Sequence, residues 1–204
     1  TIGKGQTLAT AIHHGHSIRP EVLKYIALDD DERKREEDPY TGGWTNICDH
    51  QLIVNRSRFE CDLNRLRERA VYEGPESAWG LNLYNKNLPK AIRERSLQFY
   101  DEFYRSVENF ISDQLKNYSH LLIIDLHSYN HRRNGPKAKA AELENNPEIN
   151  LGIYYIKPPK YWSEVINVFE STLKKHNLNV KHNVPFKGGD FSQWINRKWE
   201  GRVC

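Results

Sequence analysis

The chain has 204 residues, a formal net charge of +3, and 38% hydrophobic against 28% charged residues. These are the proportions of a globular protein, and the length suits one sizeable α/β core, so a single domain over residues 1–204 is expected. So small a positive charge gives no ground for a nucleic-acid partner, and no run approaches the roughly 18 uninterrupted apolar residues needed to cross a bilayer.

The N-terminus lacks the charged and apolar regions of a signal peptide. Cys48, Cys61 and Cys204 are odd in number and lack CxxC spacing, so neither a disulfide framework nor a cysteine zinc module is expected. A cytoplasmic protein with no membrane contact is the reading. Methionine is absent altogether, which points to residues missing internally or at the ends.

Residues 8–12 have the apolar composition of a buried strand, and the strand ends in His13, His14, Gly15 and His16. Pro20 then suits the first turn of a helix that runs through residue 28. The charge run DDDERKREED at 29–38 reads as a solvated helix end or loop. Pro39 and Gly42–Gly43 follow it, a sharp turn that could aim Glu37 or Asp38 inward.

Residues 51–55 and 59–63 have strand composition, and between and after them lies the densest polar constellation of the chain, NRSRFECDLNR. From 88 to 118, Ile92, Phe99, Phe103, Val107, Phe110, Ile111 and Leu115 recur as on one face of a long helix. That helix leads into LLIIDLHSY at 121–129, a strand whose polar tip carries Asp125, His127 and Ser128. Ligands of open α/β sheets gather at the carboxyl ends of the strands, which is where His13 and His127 would both stand.

Residues 131–146 read as a surface loop or lid, 152–156 as a strand, 162–176 as an amphipathic helix and 179–185 as a final strand. In FKGGDFSQWI, Lys187 with Gly188–Gly189 forms either an anion-accepting loop or a simple turn.

A hydrolytic metal site needs neutral imidazoles, a carboxylate and an open position for water. His13, His127 and one carboxylate meet that need, and Arg58 with Arg65 are natural anchors for a substrate carboxylate. The residues alone therefore point to metal-dependent hydrolysis of a small acidic amide.

The combination IHHG, SRFECDLNR, DLHS and FKGGD, in that order from about His13 to Asp190, resembles the N-formylglutamate amidohydrolase family. The DLNR block is also similar to aspartoacylases and, more distantly, to zinc carboxypeptidases. The resemblance implies an α/β fold of the zinc-carboxypeptidase-like (phosphorylase/hydrolase-like) kind, a mixed, mostly parallel sheet flanked by helices. It implies Zn2+ or another divalent transition metal on His13, His127 and an acid.

In the related acylases that acid lies three residues after the first histidine, a position held here by His16, which could itself bind metal. The EEDPYT segment offers Asp38, with Glu37 as the alternative. Arg58, Asn64 and Arg65 match residues that hold the substrate carboxylate, with Arg58 also counted among the catalytic residues. Lys187 joins them from the FKGGD loop, and Asp62 orients the group.

The family pattern expects a general-base glutamate on a strand after the Lys-Gly-Gly loop, beyond Cys204, with Glu200 as a substitute within the chain. Asp125, two residues before His127 on the same strand face, is placed to orient that imidazole. The function implied is hydrolysis of an N-formyl or N-acyl acidic amino acid. The alternatives are a carboxypeptidase or deacylase acting on a peptide end and a non-catalytic binding protein of the same fold.

Overall fold

The TLATA segment forms β1 (Thr7–Ala11), the central strand of a three-stranded sheet in the computed structural model, which describes residues 1–132, 134–156 and 160–204. Leu8, Ala9, Thr10 and Ala11 are all buried, as a strand covered on both faces requires. β2 (His50–Ile53) lies on one side of it and β3 (Leu122–Asp125) on the other, both parallel to it, with Leu8 opposite His50 and Ile123. The fold is α/β, with a parallel sheet and flanking helices.

Between β1 and β2 come α1 (Pro20–Leu23), α2 (Asp30–Glu36) and α3 (Thr41–Trp44). The helix expected from Pro20 to residue 28 stops after Leu23. Ile26 instead makes an antiparallel bridge with Tyr84, and the Ala27 amide donates to the Leu83 carbonyl at 2.8 Å. Tertiary pairing has overridden the local helical pattern.

The charge run begins as an exposed helix, α2, stabilised by a capping box in which the Glu32 amide donates to Asp29 at 2.8 Å and the Asp29 amide donates to Glu32 at 3.0 Å. It does not stay solvated, because Arg33, Glu37 and Asp38 are buried.

The strand expected over 59–63 is a sequence of turns. The Glu60 and Cys61 amides both donate to the Ser57 carbonyl, at 3.1 and 3.3 Å, and the Asp62 amide to Ala70 at 2.7 Å. The fully buried carboxylates of Glu60 and Asp62 each draw cationic partners from several segments, which a flat ladder would not allow.

Phe59 packs with Tyr72, Ala78 and Leu83 in a core cluster bordered by Ile18, Ile26 and Tyr84. α4 (Lys90–Asn117) is the long helix of the periodic stretch, and buries Leu97, Tyr100, Phe103, Val107 and Ile111 on one face. It completes the parallel crossover into β3.

The chain divides into two compact units, Thr1–Tyr129 and Asn130–Cys204. In the second, β4 (Ile149–Leu151) pairs in parallel with β5 (Val180–His182), and α5 (Lys160–Lys175) and α6 (Asp190–Lys198) complete the unit. The strand expected over 152–156 is displaced to 149–151, since 153–156 closes a turn with the Ile156 amide on the Ile153 carbonyl at 3.1 Å. The stretch 131–146 is irregular backbone as expected, and residue 133 lies outside the described residues. No helix among the described residues is long and apolar enough to cross a membrane.

Candidate metal centre

Two strand ends and one helix end of the first unit deliver the parts of the site. β1 runs through Ile12 into His13, which is 2% exposed. The turn that follows requires Gly15, because a Cβ there would stand 2.1 Å from the Asn55 carbonyl carbon beyond β2. Asp38 enters from the end of α2, its amide donating to the His13 carbonyl at 3.0 Å. β3 ends in Asp125 and leads to His127 on the same side.

His13, Asp38 and His127 each offer a ligand atom, and these atoms all lie within 4.8 Å of one another. The two imidazoles meet edge to face with centroids 4.9 Å apart. His127 donates from Nδ1 to Asp38 Oδ2 at 2.7 Å and from Nε2 to Asp125 Oδ2 at 2.9 Å. Thr10 holds the other Asp125 oxygen at 2.6 Å, and Ser128 donates to Asp38 Oδ1 at 3.4 Å.

Burial alone would lower the His127 pKa, but the Asp125 and Asp38 carboxylates outweigh it and push the imidazole up to about 10. Burial likewise works against ionised Asp38 and Asp125, yet the histidine beside each holds both carboxyls below their usual range.

A buried orphan atom tests whether the group fits a metal ion. His13 Nδ1, 3.5 Å from Asp38 Oδ2, is buried without a hydrogen-bond partner, while its Nε2 donates to Asp62 Oδ1 at 2.7 Å. Nε2 is engaged by Asp62, and Nδ1 is the nitrogen that faces Asp38 and His127. Both imidazoles are backed by a carboxylate, the arrangement in which histidines ligate metals. Two nitrogens and one carboxylate oxygen suit a zinc-like divalent ion, so the residues fit.

Asp62 ties this cluster to the arginines of the DLNR segment. Besides His13 it accepts from Arg58 at 2.8 Å, from the Tyr72 hydroxyl at 2.5 Å and from the Asn64 amide at 2.9 Å, with Arg65 Nε at 3.5 Å. Burial opposes its charge, but Arg58 and His13 hold its carboxyl far below the usual range. Burial and the Asp62 charge raise Tyr72, so its phenol stays protonated and donates. Arg58 lies over the Trp79 ring at 4.9 Å and Arg65 over Tyr72 at 4.6 Å.

His16 and Glu37 pair with each other beside this cluster. His16 donates to Glu37 Oε2 at 2.6 Å and accepts from Arg33 at 3.0 Å. Glu37 also accepts from Ser57, so these two residues knit the first loop to the DLNR segment and do not enter the cluster. Within the second unit, Lys187 Nζ lies 4.9 Å over the Tyr154 ring. Glu200 is exposed and lines a pocket with Tyr155, Trp162 and Arg197.

Cys61 is buried, and its thiol is pushed up by burial and by Asp62 and Glu60, as suits a packed cysteine. Sequence reasoning missed Tyr72. It sits in no motif, and a tyrosine among apolar residues reads as core.

The sequence model of the family described as N-formylglutamate amidohydrolase matches residues 5–203. The crystal structure of an N-formylglutamate amidohydrolase from Ralstonia eutropha JMP134 is similar with a TM-score of 0.78 at 14% identity, over 99% of this chain and 81% of that one. The structure of a gene product from Agrobacterium tumefaciens is similar with a TM-score of 0.65 at 18% identity, over 90% and 71% of the two chains. At such identities the likeness is one of fold. A search of curated proteins by sequence returns no match.

Proposed function

The chain belongs to the N-formylglutamate amidohydrolase family, and from that premise we propose that it is a metal-dependent hydrolase of the amide in an N-formyl or N-acyl acidic amino acid such as N-formylglutamate. The observation that carries the metal dependence is the buried Nδ1 of His13, which has no hydrogen-bond partner and faces Asp38 and His127. His13 Nδ1, Asp38 and His127 Nδ1 would hold the ion, Zn2+ or another divalent transition metal, which would supply Lewis-acid polarisation of the amide carbonyl and acidify water.

The protein's own groups do the rest. Asp62 and Asp125 keep the two imidazoles in the orientation that turns Nδ1 inward. Arg58 and Arg65 bind the substrate carboxylate through guanidinium forks, with Asn64 beside them, and Asp62 holds both cations in place. For Lys187 as a further anchor and Glu200 as a base, the support is the family resemblance alone. Both units are read as one domain of this family, since the match runs through both.

The test is elemental analysis and hydrolysis of N-formylglutamate by the parent protein and by His127→Ala. We expect the parent to carry about one ion per chain and the variant to lose both metal and activity. Full occupancy and undiminished turnover in the variant would sink the assignment. Cleavage of short peptides with N-formylglutamate left intact would move the protein to the carboxypeptidase or deacylase reading. Metal binding with no turnover on any of these would favour a binding protein.

A further inference from the structure

Tyr72 stands outside every motif that carries the family resemblance. Its side chain is 2% exposed. The hydroxyl donates to Asp62 Oδ2 at 2.5 Å, while His13 Nε2 donates to the other oxygen of the same carboxylate at 2.7 Å. The face of the ring carries the Arg65 guanidinium, 4.6 Å from the centroid.

Trp79 meets Tyr72 edge to face at 5.8 Å and carries Arg58 at 4.9 Å, so one aromatic pair lies against both arginines. Trp79 has φ of 42°, a left-handed conformation that a bulky residue adopts only when its surroundings hold it there. The surroundings here are the rings of Phe59 and Tyr72 and a hydrogen bond from Nε1 to Glu36 at 3.2 Å.

We infer that Tyr72 is a positioning residue shared by the two halves of the site. Its hydroxyl fixes the orientation of Asp62, which keeps the His13 proton on Nε2 and leaves Nδ1 as the free ligand atom. Its ring supports Arg65 and, through the contact with Trp79, sets the spacing of the two guanidiniums. Without the phenol, Asp62 Oδ2 loses its neutral donor and swings towards the cations, and the His13 proton is no longer held at Nε2. The inference rests on the reading of His13 as a metal ligand and of the arginines as a carboxylate clamp.

The two functions of Tyr72 separate in two variants. Tyr72→Phe keeps the ring and removes the hydroxyl, whereas Tyr72→Leu removes both. The measurements are the imidazole nitrogen NMR signals of the metal-free protein, zinc affinity by competition with a chromophoric chelator, and glutamate affinity by calorimetry.

In Tyr72→Phe we expect His13 to leave the pure Nε2–H tautomer and zinc affinity to fall about tenfold, with glutamate affinity within about twofold of the parent. In Tyr72→Leu we expect the same loss of zinc affinity together with a fall of about tenfold in glutamate affinity. An unchanged His13 tautomer in Tyr72→Phe, or unchanged glutamate affinity in Tyr72→Leu, would overturn the inference. The tautomer is read without metal, so its shift supports the role of Tyr72 even where the parent takes up no zinc, an outcome that would overturn the proposed function instead.

Discussion

His13 Nε2 lies 2.7 Å from Asp62 Oδ1, and both side chains are almost wholly inside the protein. This contact joins the end of β1 to the DLNR segment and decides which nitrogen of His13 is free. It also makes one carboxylate answer to an imidazole, a phenol and two guanidiniums at once.

Asp62→Asn should therefore act on metal and on stability together. Zinc affinity, measured by chelator competition, is expected to fall about 10- to 100-fold, as when a carboxylate behind a ligating histidine is lost. Removing the anion also leaves Arg58 without its partner, and denaturant unfolding should show a loss of about 3–5 kcal/mol. Parent-like zinc affinity in the variant would show that the His13–Asp62 contact orients nothing.

Asp38 and Glu37 are adjacent and both buried, yet they face different partners. Asp38→Asn should abolish zinc uptake by removing the oxygen nearest both imidazoles. Glu37→Gln should keep zinc at full occupancy while lowering the thermal midpoint, because it weakens the contacts to His16 and Ser57. The reverse pattern of occupancies would make Glu37 the third ligand.

Arg58→Lys preserves the charge but not the fork that reaches Asp62 while lying over Trp79. The expected result is a KM for N-formylglutamate raised at least about tenfold with kcat less affected, the signature of lost ground-state binding. A lower kcat at unchanged KM would move Arg58 from substrate anchoring to the chemical step.

The pH dependence of the metal-free protein follows from the carboxylates and His127. Burial opposes charge on Asp38, Asp62 and Asp125, but their partners hold them below the usual 3.8, so their stabilisation is present above that value and lost as pH falls. His127 is raised from 6.5 to about 10, so its stabilisation is complete below pH 6.5 and lost as pH rises through about 10.

Chelator-treated protein should thus unfold at the highest denaturant concentration between about pH 4 and 6.5. Zinc uptake must displace the His127 proton, so its affinity should rise with pH over the range 6.5–10 and binding should release a proton into weak buffer. A flat stability profile over that range would place the His127 proton elsewhere.

The α/β class, the parallel strands at 8–12 and 121–129, the long helix at 88–118 and the grouping of histidines at strand ends are all legible in the residues alone. These are local properties: apolar runs, a helical period and polar tips leave their mark within a few residues of one another. The motif order was enough to place the chain in its family.

How the buried acids are shared out depends on contacts between distant segments. Glu37 and Asp38 look alike in EEDPYT, and separation by backbone direction sends one to His16 and Ser57 and the other to the two imidazoles. The 59–63 segment has strand composition, but Glu60 and Asp62 gather partners up to 41 and 49 residues away in the chain, and such long-range pairing outweighs β propensity. Tyr72 belongs with these. A phenol aimed at a buried carboxylate has no periodic signature, so its role appears only when the chain has closed around Asp62.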